Sequence, residues 1–131
     1  SDLIRVPAHK PGYESSMRVE YRAPDPACNP YLAFSVMLAA GLKGIENEYP
    51  VPPAVEGNVF GMTPEERQAK GIRPLPGSLG ESIAIAERSE LLQEALGEHI
   101  VNSVIQNKTM EWAEYRATVT DYETSRYLPI L

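Results

Sequence analysis

Three charged residues at alternate positions, Arg18, Glu20 and Arg22, stand in the run Met17-Arg18-Val19-Glu20-Tyr21-Arg22. Side chains alternate between the faces of a β-strand, so these three share one face while Met17, Val19 and Tyr21 face the other, which is expected to be core. Same-face neighbours are separated by roughly 6.5–7 Å along a strand. A carboxylate between two guanidiniums at that spacing leaves room for an anionic ligand or a metal ion, an arrangement suited to phosphate chemistry. The same alternation also describes the wet face of an antiparallel strand, where charges pair across strands and keep the surface solvated. The strand by itself leaves both readings open.

The residues around it narrow the choice. Downstream come Pro24-Asp25-Pro26 and Asn29-Pro30-Tyr31-Leu32, and upstream stands Ile4-Arg5-Val6-Pro7. Together with Arg18-Val19-Glu20-Tyr21-Arg22, these runs resemble the glutamine synthetase family. The resemblance continues more loosely to the end of the chain and covers it as the C-terminal third of a typical member, beginning inside the catalytic domain.

That resemblance implies an ATP-dependent ligase that forms glutamine from glutamate and ammonia through a γ-glutamyl phosphate. It matches Glu20 to the family's glutamate that holds a divalent cation near the nucleotide phosphates. Arg22 matches the arginine that contacts glutamate and its acyl phosphate, and Arg5 and Arg18 match arginines that bind nucleotide or phosphate. Lys10 is a weaker candidate for a phosphate contact, because its link differs in length from the family's. The implied cofactors are ATP and Mg²⁺ or Mn²⁺, with two or more metal ions in the parent protein. Implied partners are glutamate, ammonia or another amine, and further copies of the subunit in a dodecamer-like assembly. The other metal ligands and substrate loops lie upstream in the family, so the 131-residue stretch alone is expected to be inactive. Two alternatives stand beside this: a γ-glutamyl-amine (polyamine) ligase of the same family, and a non-catalytic helical assembly module.

The residue types fit such chemistry on physical grounds. Joining ammonia to a carboxylate requires the carboxylate to become a better electrophile, and phosphorylation does that. Phosphoryl transfer needs cations around the developing charge. Glutamate oxygens suit Mg²⁺ or Mn²⁺, and arginine forks donate paired hydrogen bonds to phosphate or carboxylate.

The elements that must position these residues are an α+β set. Two short antiparallel strands, at about residues 2–7 and 16–23, are expected to belong to a larger sheet, followed by a mostly helical module. Two strands rarely stand alone in water. Arg5 has no acidic partner within its own strand. Residues 8–16, rich in Pro, Gly and Ser, read as a hairpin-like link and hold His9, expected to be an exposed loop histidine. Asn29 followed by Pro30 predicts a helix start. The helix beyond it, with Leu32, Phe34, Val36, Leu38, Leu42 and Ile45, is expected to be buried and to clamp the strand, until the prolines after Tyr49 end it. Capping boxes are expected at Thr63 to Glu66, Ser78 to Glu81 and Thr120 to Glu123. Ile100, Val101, Val104, Ile105, Trp112 and Tyr115 read as a core stripe. His99 beside it is expected to be half-buried or exposed, and Glu87, Glu90, Glu94 and Glu98 to form solvated faces.

Where some relatives carry a regulatory tyrosine to which a nucleotide is attached, this chain has Phe60, which lacks the hydroxyl. In related bacterial enzymes the C-terminal helix reaches into a neighbouring subunit, and the apolar tail Tyr127, Leu128, Ile130 and Leu131 suits that role. The alternative is that it folds back on its own subunit.

Bulk properties agree with a globular chain. Hydrophobic residues make up 43% and charged ones 23%, with a net charge of −6. An acidic balance argues against non-specific nucleic-acid binding, and no apolar run is long enough for a membrane span. The single cysteine, Cys28, cannot form an internal disulfide and is expected to pack as a small apolar residue in a reducing, cytoplasmic setting.

Overall fold

The computed structural model describes residues 3–8, 10–55 and 57–131, so the expectation for His9 lies outside the described residues. The chain divides into two compact units, residues 1–73 and 74–131.

The first unit opens with strands β1 (Ile4–Arg5) and β2 (Glu20–Tyr21), paired antiparallel with Ile4 opposite Tyr21 and Arg5 opposite Glu20. The ladder is shorter than the predicted strands. It is extended by the Arg22 amide, which donates to the Leu3 carbonyl at 2.8 Å. Between the strands the chain turns at Gly12, whose φ of 84° is one that glycine adopts at no steric cost. A 3-10 turn follows at Glu14–Ser16, where the Glu14 carboxylate accepts from the Gly12 amide.

After β2, the Asp25 side chain accepts from the Ala27 amide at 2.7 Å, closing a turn around Pro26. Helix α1 (Pro30–Glu46) then starts as predicted. Asn29 accepts from the Tyr31 and Leu32 amides, and Pro30 takes the first position, where a missing N–H costs nothing. The helix stops at Glu46, ahead of the prolines, with Glu48 in the left-handed region at φ 49° and the Tyr49 amide bonded back to Gly44.

Burial corrects three expectations in this unit. Met17, Val19 and Tyr21 are exposed, because among the described residues no layer stacks on that face of the two-residue ladder. No residue of α1 is fully buried. Leu32, Ala33, Val36 and Ala39 are half-covered, while Tyr31, Phe34, Leu38, Leu42 and Ile45 recur at three- and four-residue steps along one exposed side, Phe34 at 68%. A helix that is apolar all round requires cover all round, and the described residues cover one side. The helix therefore does not clamp the strand by extensive packing. Cys28, placed in the turn before α1, is also exposed.

The first unit ends in a 3-10 turn at Val59–Gly61, capped by Asn58, and helix α2 (Pro64–Ala69). Thr63 and Glu66 form the predicted reciprocal capping box. Phe60 is exposed.

The second unit is helical: α3 (Leu79–Ala86), α4 (Glu90–Leu96), α5 (Glu98–Ala117) and α6 (Asp121–Tyr127), then a 3-10 turn at Leu128–Ile130. Helices α3 and α4 pack on α5. The contact centres on Ile83 and Val101, the buried apolar residues among those described. Of the predicted stripe on α5, Val101 is buried, Ile105 and Trp112 are half-buried, and Ile100, Val104 and Tyr115 are exposed. His99, Glu87, Glu90, Glu94 and Glu98 are all exposed, as expected.

The box at Ser78 is only half formed. Ser78 accepts from the Glu81 amide, but the Glu81 carboxylate takes the Gly77 N–H at 2.8 Å instead of reaching Ser78's. The box at Thr120 and Glu123 is complete.

Gly80 allows α3 to lie against Trp112: a β-carbon there would come within 2.6 Å of the indole Nε1. Gly80→Ala should therefore destabilise the second unit by about 1–3 kcal/mol, the usual cost of overpacking. Adding Trp112→Leu should recover part of that loss in chemical denaturation. An additive double variant would show that the contact is not the cause.

Candidate functional site

Strand register assembles a cluster that no single segment contains. Directly opposed residues of an antiparallel pair lie on the same face, so pairing Arg5 with Glu20 places both on one face, and Arg18 and Arg22, flanking the strand, reach the same carboxylate. A register slip of one residue would have set Ile4 against Glu20 and turned Arg5 away.

The side chains meet accordingly. Arg5 Nη1 donates to both Glu20 oxygens, at 3.0 Å to Oε1 and 2.9 Å to Oε2. Arg22 Nη2 donates to Oε2 at 3.1 Å. Arg18 Nη2 stands 3.6 Å from Oε1, as an ion pair without a hydrogen bond. The Glu20 side chain is 27% exposed, whereas the arginines are 44–63% exposed. The carboxylate is thus the sheltered centre and the guanidiniums its rim.

Three guanidiniums and one carboxylate leave a net charge of +2 (three minus one) within a chain of net charge −6. The hydrogen bond from Arg5 holds the Glu20 carboxyl below its ordinary range, with Arg22 adding to the effect and partial desolvation opposing it. Because the pKa is lowered on folding, the ionic cluster is fully present above the ordinary glutamate pKa of about 4.3 and is lost as the pH falls through Glu20's lower value. An NMR titration of the Glu20 carboxyl should have its midpoint below that ordinary value; a midpoint at or above it would contradict the pairing.

The structure thus brings together Arg5, Arg18, Glu20 and Arg22, but not the weaker candidate Lys10. It adds the Arg5 to Glu20 pairing that sequence reasoning missed. Lys10 is exposed in the link, and no contact to the cluster is seen for it. The signal that could have found the pairing is the match of apolar Ile4 with Tyr21, which carries Arg5 to Glu20. The link is too long to fix that register by turn type alone.

A metal ion is a demanding guest for these residues. Among the described residues there is no group of three His, Cys, Asp or Glu that could hold one, and both oxygens of Glu20 already accept from or pair with arginine. The described residues therefore do not by themselves form a metal centre. They fit an anion, through guanidinium donors that remain exposed. In the second unit, a cleft lined by Ser78, Leu79, Trp112 and Tyr115 has Glu111 as its ionisable carboxylate, and Lys108 pairs with that group.

A family model described as glutamine synthetase, catalytic domain, matches residues 1–127. The chain belongs to the glutamine synthetase family. It is 53% identical over 130 residues to the glutamine synthetase of Mycobacterium tuberculosis, covering 99% of this chain and 29% of that protein. Similar relatives are the glutamine synthetases of Methanocaldococcus jannaschii, 47% identical over 128 residues, and Thermus thermophilus, 45% identical over 128 residues; each match covers 98% of this chain and 28% of the relative. The chain thus spans less than a third of the length of these curated relatives. No helix among the described residues is long and apolar enough to cross a membrane.

Proposed function

We propose that this chain is the C-terminal portion of the catalytic domain of an ATP-dependent glutamate–ammonia ligase, and that the Arg5, Arg18, Glu20 and Arg22 cluster is its contribution to the reaction site. The observation that carries the reading is the convergence of three arginines on Glu20, within the stretch that bears the family signature.

The roles are those that the resemblance to the family implies, and the chemistry of the residues is compatible with them. Arg22 contacts the glutamate substrate and its acyl phosphate, where a planar fork can grip two oxygens at once. Arg5 and Arg18 face nucleotide phosphates and offset the charge that spreads over the transferring phosphoryl group. Glu20 supplies one oxygen ligand to a divalent cation, Mg²⁺ or Mn²⁺, whose other ligands come from outside this chain. The cation's part is to draw charge from phosphate oxygens; what these residues do themselves is bind and orient the anionic groups. The acceptor is ammonia. A γ-glutamyl-amine ligase would share the same phosphorylation step and differ at residues outside this chain.

The test is phosphate release by the full-length protein with ATP and glutamate, comparing ammonia with polyamines and other amines. Release that requires glutamate and ammonia supports the reading, and release only with a polyamine moves the protein to the amine-ligase branch. Intact assembly with no nucleotide binding would leave the helical assembly module instead.

Self-association is part of the proposal. Tyr127, Leu128, Ile130 and Leu131 are exposed among the described residues, the last fully, so their cover comes either from the rest of the same subunit or from a neighbouring one, and the reading adopted is the neighbour. Apolar residues at such a position suit docking on another subunit. Deleting residues 127–131 from the full-length protein should split the large assembly while leaving each subunit's circular dichroism largely intact. Light scattering that shows an unchanged oligomer would reject the role.

A further inference from the structure

We propose that Glu20 is a built-in competitor for the anion that the three arginines attract, so that the resting cluster holds its own affinity down. The inference rests on the reading of Arg5, Arg18 and Arg22 as an anion-binding set and concerns how that set is regulated.

The geometry supplies the argument. The Glu20 carboxylate is less exposed than any of the guanidiniums and lies at the point on which they converge. It draws one Nη of Arg5 and one of Arg22 inward, and Arg18 Nη2 stands close behind. An incoming phosphate group seeks the same focus of positive charge. There it meets a fixed negative charge and finds the inward donors already engaged.

Five N–H donors on each guanidinium leave others free, so the anion is not shut out. It binds the rim against the repulsion of Glu20 and against donors turned away from it. Only an anion with several oxygens and more than one charge, such as a di- or triphosphate, can use rim donors from more than one arginine at once. A singly charged carboxylate or halide meets less repulsion but engages fewer donors, so it binds weakly with or without Glu20. Because the repulsion grows with the charge of the incoming anion, the counter-ion lowers polyphosphate affinity more than that of simple anions.

The opposite possibility is that Glu20 is a brace, without which three like charges would splay apart and anion affinity would fall. The two differ in sign. Glu20→Gln keeps the shape and one acceptor oxygen while removing the charge; Glu20→Ala removes both.

The experiment is calorimetric titration of the full-length protein with inorganic pyrophosphate at low ionic strength, in chelator. Wild type is compared with Glu20→Gln, Glu20→Ala and the single arginine-to-glutamine variants at positions 5, 18 and 22. Both Glu20 variants should bind pyrophosphate more tightly than wild type, by on the order of tenfold, the size of one unit-charge repulsion across several ångströms at a partly exposed site. Acetate affinity should stay weak in all of them. Unchanged or weaker pyrophosphate binding in the Glu20 variants, with binding lost in the arginine variants, would overturn the competitor role and leave the anion site standing. Unchanged binding in all three arginine variants would instead remove the anion-site reading on which the inference rests.

Discussion

Glu20→Ala in the full-length protein is expected to abolish synthesis, lowering turnover with ATP, glutamate and ammonia by more than about a hundredfold. Loss of a group that merely supports a metal ligand costs 10–100-fold, and loss of the ligand itself costs at least as much. The proposed role makes Glu20 one oxygen ligand to a divalent cation, so its loss should weaken binding of the metal-nucleotide complex as well as catalysis. The same residue is the centre of the cluster. Glu20 is the group on which Arg5 and Arg22 converge by hydrogen bonds, with Arg18 beside it.

The same substitution is expected to strengthen metal-free pyrophosphate binding while it weakens metal-nucleotide binding. Opposite signs from one residue would separate the charge of Glu20 from its ligand role. Near-normal turnover with an unaltered, saturable metal dependence would remove Glu20 from the site.

What was legible in the sequence is what neighbouring residues decide among themselves. The alternation of Arg18, Glu20 and Arg22 needs only the period of a strand. The start of α1 needs only Asn29 and Pro30, and the boxes at Thr63 and Thr120 need only a hydroxyl and a glutamate three residues apart. At Ser78 the same spacing was present, yet the preceding glycine offered its N–H to Glu81, a local competition that spacing cannot rank. The Arg5 to Glu20 contact lay further out of reach, because a link of irregular length separates the partners and their register is set only when both strands are in place.

Burial was misjudged for a different reason. The apolar faces of Met17, Val19 and Tyr21 and of α1 predict cover, and that prediction concerns the free energy of the face rather than the identity of what covers it. In a chain that spans less than a third of its relatives' length, a hydrophobic pattern can be read correctly as a demand for a partner and still not be met by the described residues. The cluster escaped this difficulty. Its members lie in or beside two adjacent strands, so it forms without further cover.

Arg22→Lys is expected to lower turnover on the order of a hundredfold, although it keeps the charge. The proposal gives Arg22 two tasks: to lean on Glu20, which it does through Nη2 at 3.1 Å, and to grip the substrate carboxylate or its acyl phosphate. A guanidinium can divide its five donors between the two, since its fork is planar and its nitrogens point along different edges. An ammonium group is one point of charge with donors radiating from a single nitrogen. It can stay with Glu20 or turn to the substrate, and it cannot form two parallel hydrogen bonds with either. Long-range charge is unchanged, so a purely electrostatic role would leave kcat close to wild type. A positioning role loses the alignment of the reacting groups, and misplacement by about 1 Å is enough to cost that factor. The measurement is kcat and the KM for glutamate in the full-length protein. A fall in kcat/KM carried mainly by kcat supports the clamp, and near-normal kinetics in the lysine variant would reduce Arg22 to a general positive charge.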